Sequence, residues 1–274
     1  MKAQDFRYER PSTMDEALAI LAGADGEAQP LAGGQSLMPM MNFRLAAPEI
    51  LIDLGGVPEL SGICEDGGEV VIGAMTRYRD LMASDLVTRG VPLLAQALPH
   101  IAHPAIRNRG TLGGSLALSD PAAESPAVLL ALGGTVDLRS SDGARNVAAD
   151  DFFFGLYETA RQPEELITAI RLPRAGEGDR FGFYEITRRH GDYAMIGVAV
   201  AQAPDWRIAF FSVAGTPLRA TDAEAALNAD ASDIDGAVAA LASLEIDGDR
   251  HGDPAMKRHL AGVALRRAIG GMKP

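Results

Sequence analysis

Two short glycine-bearing stretches carry the residue types best suited to binding an anion. Residues 30–37 read PLAGGQSL and residues 111–116 read TLGGSL, so a glycine pair and a nearby serine occur in both. Because glycine has no Cβ, successive backbone N–H groups at such a turn can approach a ligand closely. We therefore expect each pair to follow an apolar strand, and the two turns to face each other and hold the pyrophosphate of a dinucleotide.

Neither stretch belongs to a common nucleotide-binding or hydrolase motif. The GxGxxG fingerprint is absent, and its nearest imitation, Gly176, Gly178 and Gly182, has one residue too many and precedes a strand pattern. The GxSxG motif of a nucleophile elbow does not occur either. A single glycine pair is usually just a tight turn, but its repetition favours a shared role. We expect no Rossmann domain and no catalytic nucleophile.

Two polar segments are further candidates. His100 and His103 have a spacing that could place both on a metal ion, but the segment lacks a nearby third ligand, and we expect no metal site. A second cluster lies between two apolar runs and consists of Arg188, Arg189, His190, Asp192 and Tyr193. This cluster is either a solvated hairpin loop or a group presented to the reactive end of a ligand, and the sequence leaves both open.

Composition and charge exclude several classes of partner. The formal net charge of -12 opposes binding to nucleic acid or to an anionic membrane. Cys64 is the sole cysteine, so the chain alone cannot hold an iron–sulfur cluster, which needs several thiolates. We expect no membrane span, because no apolar run is long enough, and a cytoplasmic location, because the N-terminus lacks the apolar core of a signal peptide.

The order of apolar runs and turns predicts an α+β protein. Strand and helix patterns alternate up to residue 172, and residues 173–179, PRAGEGD, have the composition of a linker. Three β-rich runs and then helices follow, which indicates an antiparallel three-stranded sheet with helices. We predict domains at residues 1–55, 56–175 and 176–274.

Small polar residues predict where several helices begin. The predicted N-terminal signals are Ser12 or Thr13, Thr76, Ser125 before Pro126, Thr221 with Glu224 as a capping box, and Ser232.

Taken together, these residues resemble the FAD-binding, or medium, subunit of the molybdenum hydroxylases, the family of aerobic carbon monoxide dehydrogenase and xanthine dehydrogenase. The resemblance rests on collinear landmarks along nearly the whole chain. They are PLAGGQSLMPMMNFRL, VIGAMTRY, IAHPAIRNRGTLGGSLALSDPAAESPAVLLAL, FFFGLYET, EELITAIRLP, RRHGDYAMIGVAVA and VAGTPLRA. It implies a two-subdomain FAD-binding fold of the vanillyl-alcohol-oxidase type, followed by a C-terminal α+β domain.

The resemblance also implies a set of cofactor-binding residues. The first turn would bind the pyrophosphate of FAD together with the second, Asp120 would lie near the ribose hydroxyls, and Tyr193 would lie close to the isoalloxazine. Ser115 stands where many relatives have asparagine. The implied residues are Ala32, Gly33, Gly34, Gln35, Ser36, Leu37, Asn108, Thr111, Gly113, Gly114, Ser115, Asp120 and Tyr193.

The resulting functional hypothesis is an electron-transfer subunit of a multisubunit molybdenum hydroxylase. The chain would take electrons from [2Fe-2S] clusters on a small partner subunit, with molybdopterin on a large subunit, and pass them to an external acceptor. Such heterotrimers would form dimers. The alternatives are a self-contained FAD-dependent reductase or oxidase of the same fold, and a scaffold subunit with a vestigial flavin pocket.

Overall fold

The computed structural model describes residues 2–189 and 191–272. His190 of the polar cluster lies outside the described residues. Within the described part of the chain, no helix combines the length and apolarity needed to cross a bilayer.

The first subdomain is a small parallel sheet with one long helix packed against it. Its strands have the order β1-β3-β2. Its elements are β1 (Arg7–Glu9), α1 (Met14–Ala22), β2 (Ala28–Leu31), α2 (Leu37–Asn42) and β3 (Ile50–Asp53). Helix α1 begins as predicted, because the Thr13 side chain accepts a hydrogen bond from the Glu16 N–H. Its buried face, Met14, Ala17, Leu18 and Leu21, packs with Ile52 in one apolar cluster.

The second subdomain is an antiparallel sheet covered by short helices. Its sheet has the strand order β4-β5-β10-β6-β7. The strands are β4 (Ile63–Asp66), β5 (Glu69–Gly73), β6 (Thr135–Ser140), β7 (Gly143–Ala148) and β10 (Leu166–Pro173), with β8 (Phe153–Gly155) and β9 (Glu158–Thr159) as a separate hairpin. The helices are α3 (Tyr78–Met82), α4 (Asp85–Gly90), α5 (Pro92–Ala97), α6 (Pro104–Arg107), α7 (Leu112–Leu118) and α8 (Glu124–Leu132).

The C-terminal domain has helices on one face of an antiparallel sheet, in the order β11-β12-β13-β14. Its elements are β11 (Arg180–Thr187), β12 (Ala194–Gln202), β13 (Trp206–Phe211), β14 (Leu218–Arg219), α9 (Thr221–Ala229), α10 (Ile234–Ala240) and α11 (Pro254–Gly270). The three predicted strands are present. The prediction missed the two-residue β14, which is too short to produce a repeating pattern.

The C-terminal sheet is buried on both faces, so it joins two cores. Along β13, Ile208 and Phe210 face helices α9–α11, whereas Ala209 and Phe211 belong to the same cluster as Leu129 of α8. This alternation is the period of two expected of a strand. The second subdomain therefore packs directly on the C-terminal sheet.

Several predicted helix starts are wrong, because the side chains have other partners. Thr76 exchanges hydrogen bonds with the backbone of Gly62, and α3 begins after Arg77. Thr221 makes no cap, and Glu224 instead accepts the Ile208 N–H. Asp233, rather than Ser232, caps α10. Gly62 and Ile208 are distant in sequence from the residues they pair with, and Asp233 is a better-placed cap next to Ser232. Local sequence patterns could not identify any of the three.

Candidate functional site

A cavity of about 630 Å³ lies between the first subdomain and the second. That volume is typical of small-molecule and cofactor sites. The predicted site residues that line it are Ala32, Gly33, Gly34, Gln35, Ser36, Leu37, Thr111, Gly113, Gly114, Ser115, Asp120 and Tyr193. Among the described residues, the predicted Asn108 does not line it, because it follows the short helix α6 with its side chain exposed. Its neighbour Ile106 lines the cavity instead.

The first glycine turn connects β2 to α2 and leaves a run of backbone donors available. Gly34 has φ +71°, a left-handed conformation that glycine adopts without strain. Within the described residues, the N–H groups of residues 33–36 have no acceptor in the protein, although the Gln35 side chain donates to the Gly33 carbonyl at 2.9 Å. Consecutive donors of this kind form a concave site for an anion.

The second glycine pair has a different structure from the predicted one. It lies in the first turn of helix α7 rather than after a strand, and the Thr111 side chain caps that helix by accepting the Gly114 N–H at 3.1 Å. The Gly113 N–H donates to the Ala74 carbonyl at 2.9 Å and the Ser115 N–H to the Thr111 carbonyl at 3.2 Å. These N–H groups are already used inside the protein, so this segment offers a ligand its side chains rather than backbone donors.

The glycines serve first to let neighbouring segments approach closely, between the two subdomains at Gly33 and Gly114 and within the second subdomain at Gly113. A Cβ on Gly33 would lie 2.2 Å from the Arg109 carbonyl oxygen, and one on Gly113 would lie 2.5 Å from the Ala74 Cβ. A Cβ on Gly114 would lie 3.2 Å from the Ala32 Cβ. The expectation that the two segments face each other is therefore correct. The missing side chains at Gly33 and Gly113 make room for protein backbone, not directly for a ligand.

A buried cluster of hydroxyl groups, of which Tyr78 and Ser115 line the cavity, was not predicted. Tyr78 is 3% exposed, and its hydroxyl lies 2.9 Å from the Ser125 Oγ. Burial raises the pKa of Tyr78 to about 12, whereas hydrogen bonding to Ser115 and Ser125 acts in the opposite direction. Ser125 is consequently not the predicted helix cap, since α8 begins one residue earlier. Tyr78 lies in an ordinary amphipathic segment, so its sequence gave no signal.

Glu124, at the start of α8, is the most perturbed acid in the cavity. Burial and, to a smaller extent, the charges of Glu185 and Asp120 raise its pKa to about 8, against the opposing effects of a backbone hydrogen bond at Glu124 itself and the charge of Arg107. The side chain is therefore mainly protonated at neutral pH. Because Glu124 is neutral, the cavity carries less negative charge than it would if Asp120, Glu124 and Asp192 were all ionised.

Asp120 and two tyrosines stand at one end of the cavity. The Asp120 Oδ1 accepts the Ala122 N–H at 2.9 Å, which orients its carboxylate within the turn that joins α7 to α8. Tyr193 and Tyr157 are 60% and 53% exposed. Partial burial and then the charge of Asp120 raise the pKa of Tyr193 to about 12. Tyr193 and Asp192 of the 188–193 cluster both line the cavity, and their part in binding a ligand stays a prediction.

The two histidines have separate surroundings. His100 Nδ1 lies 3.1 Å from the Glu185 Oε1, whereas His103 lines the cavity. Within residues 2–189 and 191–272, no group of three or more His, Cys, Asp or Glu side chains could hold a metal ion.

The fold and the cavity define a two-subdomain cofactor-binding protein with an attached α+β domain. Residues 4–175 match the family of the FAD binding domain in molybdopterin dehydrogenase, and residues 182–272 match the CO dehydrogenase flavoprotein C-terminal domain. The chain therefore belongs to the family of FAD-binding medium subunits of the molybdenum hydroxylases, as the sequence predicted.

Individual relatives match over nearly their full lengths. The chain is 40% identical to the nicotine 6-hydroxylase medium subunit of Paenarthrobacter nicotinovorans, covering 98% of each chain. It is 40% identical to the carbon monoxide dehydrogenase medium chain of Afipia carboxidovorans, covering 96% of this chain and 95% of that one. Carbon monoxide dehydrogenase of Hydrogenophaga pseudoflava superposes with a TM-score of 0.94 at 40% identity, over 98% of each chain. The predicted fold is confirmed.

Proposed function

We propose that this chain binds FAD through its pyrophosphate at residues 33–36 and acts as the electron-transfer subunit of a molybdenum hydroxylase. The observation that carries the proposal is the run of N–H groups at residues 33–36, which have no protein acceptor in the described structure and line the cavity. Each charge-assisted hydrogen bond from such a donor contributes about 1.5 to 3 kcal/mol.

Backbone donors are needed here because the cavity offers little positive charge. Arg161 is its one lining arginine in the described residues, and its guanidinium already donates to the backbone carbonyls of Gln162 and Glu165 at 2.9 Å. Asp120 and Asp192 would repel a pyrophosphate. The donors at residues 33–36 act at contact distance, where they outweigh more distant and better screened charges.

The other lining residues then have distinct roles. Asp120 accepts hydrogen bonds from ribose hydroxyls, and Tyr193 covers one face of the isoalloxazine. Thr111, Ser115 and the buried Tyr78 complete a wall that excludes water. FAD, when bound, supplies a centre that can hold one or two electrons.

Electron transfer in this proposal involves partner chains. Cys64 is the sole cysteine and is exposed, so the donor [2Fe-2S] clusters belong to a small subunit and molybdopterin to a large one. Such heterotrimers form dimers in the cytoplasm and deliver electrons to an external acceptor. Two exposed apolar side chains support the presence of a partner-binding surface beside the cavity. Phe154 is 68% and Leu156 is 60% exposed, on the hairpin that carries Tyr157.

A comparison of ligands tests the pyrophosphate assignment. The purified chain, freed of cofactor, is titrated with FAD and with FMN, which has the same flavin but a single phosphate. We expect FAD to bind at least tenfold more tightly, because FMN lacks the second phosphate and the adenosine. Equal affinities, or no binding of either flavin, would contradict the proposal.

A matched pair of variants locates the phosphates. Ser36→Pro removes one of the N–H donors, whereas Ser36→Ala keeps it and removes only the hydroxyl. We expect the proline variant alone to lose FAD affinity, with circular dichroism showing that both variants remain folded. An alanine variant that loses as much affinity would mean that the side chain, rather than the backbone, holds the ligand.

Purification from the native source tests the subunit role. We expect co-purification of two further chains, with iron and molybdenum found by metal analysis. A homogeneous preparation of this chain that oxidises a substrate without partners would favour the alternative, a self-contained flavin enzyme. A self-contained flavin enzyme needs a proton donor beside the flavin. Glu124, a protonated carboxyl that lines the cavity, is the residue that would fill this role.

A further inference from the structure

A buried lysine in the C-terminal domain is held by only two acceptors in the described structure. Lys257 of α11 is 3% exposed. Its Nζ lies 2.6 Å from the Asp249 Oδ2 and donates to the Ser212 carbonyl at 2.7 Å. Removing an ammonium group from water is costly unless its hydrogen bonds are satisfied. The Lys257–Ser212 bond therefore fixes the backbone of Ser212 firmly.

Ser212 transmits that constraint to the other side of the domain boundary. It follows β13 with φ 59°, a left-handed conformation that is unfavourable for a serine. Its hydroxyl is buried and has no partner among the described residues. Its N–H donates to the Pro121 carbonyl at 2.8 Å. The Ser212 carbonyl thus accepts a hydrogen bond from Lys257 within the C-terminal domain, and the Ser212 N–H donates one to Pro121 in the second subdomain.

Pro121 immediately follows Asp120, in the turn between α7 and α8. The turn is closed by two hydrogen bonds to Asp120, from the Ala122 N–H to its side chain and from the Ala123 N–H to its carbonyl, both at 2.9 Å. These bonds fix the shape of the turn. The bond from Ser212 fixes where the turn lies relative to the C-terminal sheet, and hence where the Asp120 carboxylate stands in the cavity.

We infer that Lys257 is a positioning residue for the cofactor cavity, acting through Ser212 and Pro121 on Asp120. The inference rests on the proposed binding of FAD by Asp120. It gives helix α11 of the C-terminal domain an indirect part in shaping the cavity, beside the residues of that domain that line it.

Three variants of the full-length chain separate positioning from stability. Lys257→Met removes the donor to Ser212, Lys257→Arg restores a cationic donor, and Asp249→Asn weakens the ion pair while leaving the Ser212 bond. For each, the dissociation constant of FAD, the visible circular dichroism of the bound flavin and the unfolding temperature of the cofactor-free protein are measured.

We expect Lys257→Met to weaken FAD binding by about tenfold and to change the visible dichroism, the size of effect that one misplaced hydrogen bond produces. Lys257→Arg should recover most of both signals. Asp249→Asn should lower the unfolding temperature but keep the dissociation constant within about twofold. If Lys257→Met does not fold, Lys257→Gln, polar but one atom shorter, carries the test with the same expected direction.

Asp120→Ala distinguishes the two levels of the hypothesis. If it weakens FAD binding but the Lys257 variants do not, the positioning inference is wrong and the binding role of Asp120 stands. If Asp120→Ala binds FAD normally, the proposed role of Asp120 is wrong, and the inference that depends on it is overturned as well.

Discussion

Glu124 shows how burial can change the chemical state of a single side chain without any motif to announce it. Its carboxyl is placed by the start of α8 near Glu185 and Asp120, and the hydrogen bond from its own backbone and the charge of Arg107, which favour the charged form, are outweighed by burial. The negative charges and the loss of water act in the same direction. The proton it retains is a property of the assembled cavity, so the sequence segment PAAESP could not reveal it.

The pKa of Glu124 predicts a specific pH dependence of stability. Because its pKa rises from 4.5 to about 8 on folding, the folded protein holds a proton that the unfolded chain releases between those values. The free energy of unfolding should therefore decrease as pH rises from about 4.5 to 8 and level off above. The Glu124→Gln side chain cannot ionise, so the variant's free energy of unfolding should lack this decrease between pH 4.5 and about 8.

Urea unfolding of the cofactor-free protein between pH 5 and 9 measures the effect. The variant should gain stability relative to the wild type across that range, by a few kcal/mol in total, since one pKa unit corresponds to about 1.4 kcal/mol. Glu27→Gln, at an exposed position, is the matched control and should follow the wild type. A pH-independent difference between wild type and Glu124→Gln would show that Glu124 is ionised throughout.

At the scale of elements, patterns within one segment were read correctly from the sequence, whereas pairings between distant segments were not. The strand before the first glycine pair, the β6–β7 hairpin and the long helix α11 follow from periodicity and turn residues, whereas the strand expected before the second pair is helical structure instead. The cap at Thr13 was also correct. By contrast, Glu224 looks like half of a capping box, but it is buried and pairs with Arg219 and the Ile208 N–H. Tertiary partners replaced the local ones.

The candidate site follows the same division. Residue types and the resemblance pointed to both glycine stretches, Asp120 and Tyr193; all of them line the cavity, and their part in binding FAD stays a prediction. The sequence could not show that one glycine pair begins a helix whose N–H groups are already satisfied, or that the Tyr78 and Ser125 hydroxyls meet beside the cavity. The Tyr78–Ser125 contact joins positions 47 residues apart, beyond the reach of a local pattern.

The close contact between the two glycine segments predicts that one added methyl group lowers the stability of the fold. A Cβ on Gly33 would lie 2.2 Å from the Arg109 carbonyl oxygen, and Gly33 does not have a positive φ, so the effect of Gly33→Ala is steric. Separating the segments should cost about 1 to 3 kcal/mol, a decrease of several degrees in unfolding temperature.

The control for this variant is Gly270→Ala. A Cβ there meets nothing within 4 Å, and the residue ends helix α11. It should unfold at or slightly above the wild-type temperature, because alanine favours a helix. Scanning calorimetry of the cofactor-free proteins compares the three chains. Equal unfolding temperatures for Gly33→Ala and wild type would mean that the turn can move away at no cost.

For the whole molecule, the linker-like stretch at residues 173–179 separates segments of chain but not independent cores. Phe181, Ala209 and Phe211 of the C-terminal sheet belong to the same buried cluster as Leu129 and Val136 of the second subdomain. Polar contacts reinforce this packing, since Asp150 pairs with Arg207 at 2.8 Å and with Arg219 at 3.1 Å. The C-terminal domain thus completes the wall that supports α8 and, with it, one side of the cavity.

This shared core predicts that residues 1–179 do not form a stable protein alone. Cutting the chain there exposes the face of α8 that packs against β12 and β13, in a helix whose side chains from Ala127 to Leu132 are all buried in the intact chain. Exposed apolar surface of that extent causes aggregation. The fragment should be insoluble, or bind a hydrophobic dye and unfold without a cooperative transition.

The control is the full chain with a protease site inserted among residues 173–179. After cleavage it should still elute at its full size, because the two pieces remain packed together. A soluble, monomeric fragment with a cooperative transition would instead show that the FAD-binding region folds independently and that the C-terminal sheet is an addition to it.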